Sequence, residues 1–194
     1  MESETTETII RATGRSLCEY GYADLTMQRI AEESSVTTAA IHYHFDTKEE
    51  LLNAFLDDLV DRFEQQLACE AGDPRQRLST LLDAVFTPSK STSDEFPVAL
   101  MELKAQAPYH DSYRERFIEL DETLRAVVAD AVDDGIEAEY FEAVDPATVA
   151  RFVSTVVNGG HLRQVALGED PEKTRQQIES YLDAQLGWSP EASA

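Results

Sequence analysis

The sequence predicts an all-α fold, with an N-terminal three-helix helix–turn–helix unit joined by a long helix to a larger helical domain. Three observations carry that expectation. Apolar residues recur at three- and four-residue steps along nearly the whole chain. Period-2 alternation bounded by turn pairs, the signature of a hairpin, is absent. Residues that cap helix N-termini, namely Thr26, Thr37, Thr47, Asp145 and Asp170, stand directly before apolar runs.

The first helix runs from Glu4 to Tyr20 on Ile9, Ile10, Ala12, Leu17 and Tyr20, and Gly21 is expected to close it in a left-handed conformation. Thr26 caps a short helix, Met27 to Glu33, with Ile30 and Ala31 inward. Ser34-Ser35-Val36 breaks the chain, and Thr37 caps a third helix running to about Phe45. Thr47 with Glu50 forms a Thr-x-x-Glu capping box. From there Leu51, Leu52, Phe55, Leu56, Leu59, Phe63 and Leu67 sustain a long fourth helix to about Glu70. Further breaks are expected at Gly72-Asp73-Pro74, Thr87-Pro88, Pro97, Ala107-Pro108, Asp134-Gly135 and Gly168 to Pro171. Between them lie helices near 74–87, 92–107, 109–134, 145–167 and 171–186. Pro146 and Pro171 suit first helical positions, where the missing N–H has no partner to lose. The domain reading is 1–50 for the helix–turn–helix, 51–186 for the helical domain, and a tail, 187–194, with only Trp188 to pack.

Composition narrows the class. The 194 residues carry 16 Lys+Arg against 38 Asp+Glu, a formal net charge of −22 at pH 7. Twelve of the cations are Arg, and the acids are spread without a run of five, so they form a solvated surface and not an interaction tail. An acidic, Lys-poor surface suits a cytoplasm of very high salt, where a Debye length of about 3 Å screens self-repulsion. The N-terminus lacks a secretory pattern and no apolar run approaches the roughly 18 residues of a membrane span. A cytoplasmic location without membrane contact is therefore expected. Cys18 and Cys69 are the only cysteines, which excludes a disulfide scaffold and a Cys-based zinc cluster and predicts two buried, inert thiols.

Residues 26–45, TMQRIAEESSVTTAAIHYHF, have the spacing of two short helices joined by a tight turn, the arrangement that lays a second helix in the DNA major groove. With Ile41 as the buried anchor, Thr37, Thr38, Ala40, Tyr43 and His44 fall on the other face, offering donors and acceptors to phosphates and base edges. Packing and capping duties alone would account for the same residues.

These motifs closely resemble the TetR family of transcriptional regulators: Thr26-x-x-x-Ile30-Ala31, Ser35-Val36-Thr37, Ile41-His42-Tyr43-His44-Phe45 and Thr47-Lys48-Glu49-Glu50-Leu51. The likeness covers roughly residues 5–55, with Ala12, Leu17, Gly21 and Tyr22 fitting the first helix. Ser35 stands where the family commonly has Gly, His42 where it commonly has Tyr, and Ala39 where it often has Gly. The resemblance implies double-stranded DNA as partner, in the form of a palindromic operator bound by a homodimer. It places Thr26 and Thr37 on phosphates, and Thr38, Ala39, Ala40, Tyr43, Gln28 and Met27 near base edges. His42, His44 and Lys48 become backbone contacts that fix register.

Charge runs against this reading. Residues 1–50 hold Arg11, Arg15, Arg29 and Lys48 against ten acids, a net of −6, where a DNA-binding domain ordinarily carries a basic footprint. A protein-binding helical adaptor is the alternative that such acidity favours. If DNA is bound, weak salt dependence is expected, because counterion release contributes little.

Residues 96–117 and 153–167 resemble, more weakly, the C-terminal domain of the BetI-like branch of that family. The likeness implies a repressor released by a small-molecule effector, with dimer helices at 145–167 and 171–186. Candidate pocket residues are Phe63, Met101, Lys104, Phe117, Phe152 and His161, apolar walls with a few polar groups. Asn158-Gly159-Gly160 interrupts an apolar helix, at about 1 kcal/mol per Gly relative to Ala, so close helix approach across a dimer axis is expected. No cofactor, metal or catalytic residue is expected. Phosphate loops, HExxH and nucleophile elbows are missing, and His42 and His44, two apart on a helix, point away from each other.

Overall fold

The computed structural model describes residues 2–67, 72–86 and 95–188. Among these are nine helices and no strand: α1 Glu2–Asp24, α2 Met27–Ser34, α3 Thr38–His44, α4 Lys48–Leu67, α5 Pro74–Phe86, α6 Phe96–Gln106, α7 Asp111–Glu137, α8 Pro146–Leu167 and α9 Pro171–Leu186. The expectations for Cys69, for the break at Thr87-Pro88 and for the tail beyond Trp188 fall outside the described residues.

Side-chain oxygens start the helices. Thr26 Oγ1 accepts from the Arg29 N–H at 3.3 Å and Thr37 Oγ1 from the Ala40 N–H at 3.1 Å. Asp145 accepts from the N–H groups of Ala147 and Thr148, and Asp170 from that of Glu172. Both aspartates precede a first-position proline. The capping box is displaced by one residue. Thr47 Oγ1 accepts from the Glu50 N–H at 3.1 Å, but the Glu50 carboxylate reaches the Asp46 N–H at 2.8 Å, not that of Thr47. α8 and α9 end on left-handed glycines, Gly168 and Gly187.

Three glycines behave differently from expectation. Gly21 has φ 73° and ψ 171°, so it breaks α1 internally and the helical chain resumes to Asp24. That backbone region is open essentially to glycine alone. Gly135 ends nothing. α7 runs on to Glu137, and a Cβ at Gly135 would lie 2.1 Å from Phe141 Cδ2, so the glycine admits the Phe141 ring. The turn comes instead at Glu139, φ 58°. In α8, Gly160 faces α9 of the same chain, where a Cβ would meet Thr174 Cγ2 at 2.4 Å, while Gly159 has nothing within 4 Å. The close approach expected across a dimer axis is thus, at Gly160, made within one chain.

The chain forms two compact units, Met1–Arg62 with Lys90–Ile118, and Phe63–Ser89 with Glu119–Ala194. The first buries Ile9, Ala12, Leu17, Ile30, Ile41, Leu51, Leu52, Phe55, Leu103 and Tyr113 around one core. The second buries Leu78, Leu82, Val128, Val132, Val153, Ile178, Leu182 and Trp188 around another. Trp188 is 1% exposed and its indole N–H donates to the Arg75 carbonyl at 3.1 Å, so the residue after Gly187 belongs to the core.

Candidate nucleic-acid interface

α2 and α3 meet through the buried side chains Ile30, Ala31 and Ile41, and the turn between them is made by Ser35 at φ 59°, ψ 20°. A non-glycine residue in this left-handed conformation costs about 1–2 kcal/mol relative to glycine. With Ile41 inward, α3 leaves Ala39, His42 and Tyr43 exposed, Tyr43 at 75%, and Thr38, Ala40 and His44 half-buried. Thr37, Thr26 and Gln28 are also exposed, and Gln28 donates to Glu32 at 3.2 Å. Met27 is half-buried and packs on the first core. The face is therefore made of hydroxyls, an amide, methyls, a phenol and two imidazoles. The Tyr43 and His44 rings meet edge to face, 5.1 Å between centroids.

The cations of this region are engaged elsewhere. Arg15 donates to the Glu33 carboxylate at 2.6 Å and to its carbonyl, and Arg11 pairs with Glu7 at 3.8 Å. Arg29 donates to the Asp24 carbonyl at 2.6 Å and lies over the Tyr20 ring, which leaves it anchored on α1. Lys48 donates to the carbonyls of Tyr22 and Leu25 at 2.8 and 3.3 Å and stacks over the Tyr22 ring. Burial lowers the pKa of this ammonium, against a smaller opposing pull from Glu49. Lys48 thus keeps at most one N–H for a phosphate.

The same segment is held from a third side. The Tyr22 N–H, freed by the break at Gly21, donates to Glu102 of α6 at 2.6 Å, and the Tyr22 hydroxyl lies 3.4 Å from His110 Nε2. His110 in turn stacks on Tyr113. No spacing in the sequence announced this clamp, since its members are some eighty residues apart. Cys18 is half-buried, and its thiol pKa is raised by burial and by Glu95, so it is not a reactive nucleophile.

The six pocket candidates divide between the units. Met101, Lys104 and Phe117 lie in the first, with the Lys104 ammonium 5.8 Å from the Phe117 ring centroid. Phe63 and His161 lie in the second, where Phe63 packs on the core and His161 sits 6.3 Å from the Phe86 ring. Phe152, in the second unit, is 39% exposed and stacks on Tyr181 at 3.7 Å. Cavities of about 440 Å³ beside Arg15 and Glu33, and of about 270 Å³ beside Arg125 and Ala150, hold none of the six. Among the described residues no helix is long and apolar enough to cross a membrane, and no group of three or more metal-ligating side chains is found.

A capped two-helix reading unit with a left-handed turn, in a chain that also holds a second, all-helical unit, defines a helix–turn–helix regulator. Residues 9–55 match the model of bacterial regulatory proteins of the tetR family, and residues 74–187 match that of the C-terminal domain of BetI-type transcriptional repressors. The chain belongs to the TetR family of DNA-binding transcriptional regulators. It is similar to a TetR transcription regulator from Haloarcula marismortui, 41% identical, with a TM-score of 0.88 over 95% of this chain and 99% of that one. It is 32% identical over 88 residues to the regulator BetI of Stenotrophomonas maltophilia, which is 43% of this chain and 45% of that protein. A transcriptional regulator from Saccharomonospora viridis, solved in complex with choline, shares the fold at 20% identity, TM-score 0.83, over 95% and 98% of the two chains. Family and relatives are transcriptional regulators, which sets aside the adaptor reading.

Proposed function

We propose that this chain is a cytoplasmic, non-enzymatic repressor that binds a palindromic operator as a homodimer and leaves it when a small molecule binds. The observation that carries the reading is α3 itself. Ile41 is buried, while Thr37, Ala39, His42 and Tyr43 stand exposed beyond a turn that only a left-handed Ser35 closes. In the proposed complex Thr26 and Thr37 bond phosphates. Thr38, Ala39, Ala40, Tyr43, Gln28 and Met27 approach base edges, where Ala methyls suit thymine methyls and Gln suits adenine. His42, His44 and the remaining Lys48 donor touch the backbone.

Two half-sites about one helical turn apart, roughly 34–36 Å, require a dimer. On α8, Phe152, Thr155, Gly159, Leu162 and Ala166 are all exposed, at steps of three and four. That periodicity makes a continuous helix seam, and with Tyr181 of α9 it is the surface we assign to the partner. The domain division proposed is 1–50 for reading and 51–186 for effector and dimer contacts. α4 begins among the reading helices, with Leu51, Leu52 and Phe55 buried there, so a tilt of α4 on effector binding would change half-site spacing.

The effector is proposed to be a small organic cation of the choline type. The support is the BetI-type C-terminal match, the choline complex of the Saccharomonospora neighbour, and rings whose faces attract quaternary ammonium groups. Phe63, Phe86 and His161 supply such rings in the second unit. The formal net charge of −22, with Arg favoured over Lys, supports work in a salt-rich cytoplasm. The reading is tested by protection of DNA upstream of the protein's own gene, with and without choline. A protected palindrome that choline releases is expected, and protection indifferent to choline and to other small cations would refute the effector class.

A further inference from the structure

We propose that operator binding by this protein takes up protons at His42 and His44, which serve as its conditional phosphate-binding charges. The inference rests on the reading of α3 as the DNA-contacting helix. Phosphate contacts supply most of the affinity of ordinary DNA-binding proteins and are made chiefly by Arg and Lys. Here Arg11 and Arg15 pair with Glu7 and Glu33, and Arg29 and Lys48 are anchored on carbonyls and rings of the α1 segment. None of the four stands on α3.

On α3 the groups that can gain positive charge are the two imidazoles, in its last turn. His42 is exposed and His44 half-buried. Neither ring makes a hydrogen bond or an ion pair, while His44 keeps ring contacts with Tyr43 and Phe45. The C-terminal end of a helix favours a cation, and imidazole is the side chain that gains one near neutral pH. A phosphate beside the ring favours the charged form further.

The titratable groups on the neighbouring elements are accounted for. On α2, Glu33 is bound to Arg15, Glu32 accepts from Gln28, and Arg29 is anchored on α1. Between α3 and α4 lies Asp46. On α4, Glu50 accepts the Asp46 N–H, Lys48 is bound to carbonyls, and Glu49 is exposed. The carboxylates near α3 repel DNA, and imidazole is the side-chain type there that can gain or lose a positive charge near neutral pH.

The experiment is operator affinity of the full-length protein from about pH 6 to about pH 8 at one fixed KCl concentration, for the wild type, His42→Gln with His44→Gln, and His42→Lys. Each histidine that is neutral free and protonated bound weakens binding by up to about tenfold per pH unit. The wild type is therefore expected to bind on the order of tenfold or more weakly at the alkaline limit than at the acid one if both histidines take up most of a proton. The double variant should be pH-independent at the weak, alkaline affinity, and His42→Lys should bind more tightly than the wild type at pH 8 while keeping only the pH dependence that His44 contributes. Unchanged helicity by circular dichroism checks that the variants fold. Specific binding that is flat in pH, or a double variant with the wild-type slope, overturns the proton uptake alone. Absence of specific binding at every pH overturns the operator reading itself.

Discussion

The two compact units each bury an apolar core and both cap helix ends, α8 and α9 included, but they differ in what else fixes their helices. In the first, short helices are set by backbone devices: the caps Thr26, Thr37 and Thr47, the left-handed Ser35, and the break at Gly21. In the second, long helices are set by interdigitation: the Phe141 ring over Gly135, Thr174 against Gly160, and Trp188 driven into the core. A seven- or eight-residue helix is too short to be stable on its own, so its ends must be specified residue by residue. A helix of 22 or 27 residues has ends to spare and is placed by what its side buries.

That contrast predicts a graded response to substitution. Trp188→Ala removes a fully buried indole from the second unit and should cost about 3–5 kcal/mol in denaturant unfolding. A loss below about 1 kcal/mol would show that the chain end is not part of the core. Gly135→Ala places a methyl inside the Phe141 ring and should cost about 1–3 kcal/mol through overpacking. A cost no larger than that of an ordinary exposed helix position would contradict the close approach. In the first unit, Gly21→Ala should cost about 1–3 kcal/mol by backbone strain alone. The double change Gly21→Ala with Glu102→Ala, set against Glu102→Ala alone, separates that strain from the crowding of Glu102, since shortening the side chain relieves only the latter. Ser35→Gly should do the opposite and raise the melting temperature, by the equivalent of about 1 kcal/mol, because it relieves a left-handed serine. A fall would mean that Ser35 contributes a contact worth more than its strain.

The same contrast explains what the sequence revealed. Caps are local, so Thr26, Thr37, Thr47, Asp145 and Asp170 were legible as helix starts, and the reading helix with its buried Ile41 followed from them. Periodicity found the long helices to within a few residues. Glycines were less legible, because a glycine that ends a helix and one that admits a neighbour look alike in one dimension. Gly135 and Gly160 belong to the second kind, and their partners Phe141 and Thr174 are supplied by packing. The clamp of Glu102 and His110 on Tyr22 was invisible for the same reason, being a meeting of distant segments.

The reading face has its neighbouring cations engaged elsewhere, and the most direct test of this is its salt dependence. Operator affinity should be titrated from about 0.1 M to multimolar KCl at one fixed pH of about 8, so that counterion release is what the slope reads. The arrangement of Arg11, Arg15, Arg29 and Lys48 predicts specific binding whose affinity is nearly constant, or improves, as salt rises. A steep loss, with a slope approaching about −0.9 for each of six or more phosphates, would mean that those side chains leave their partners for the DNA, and the account would fail.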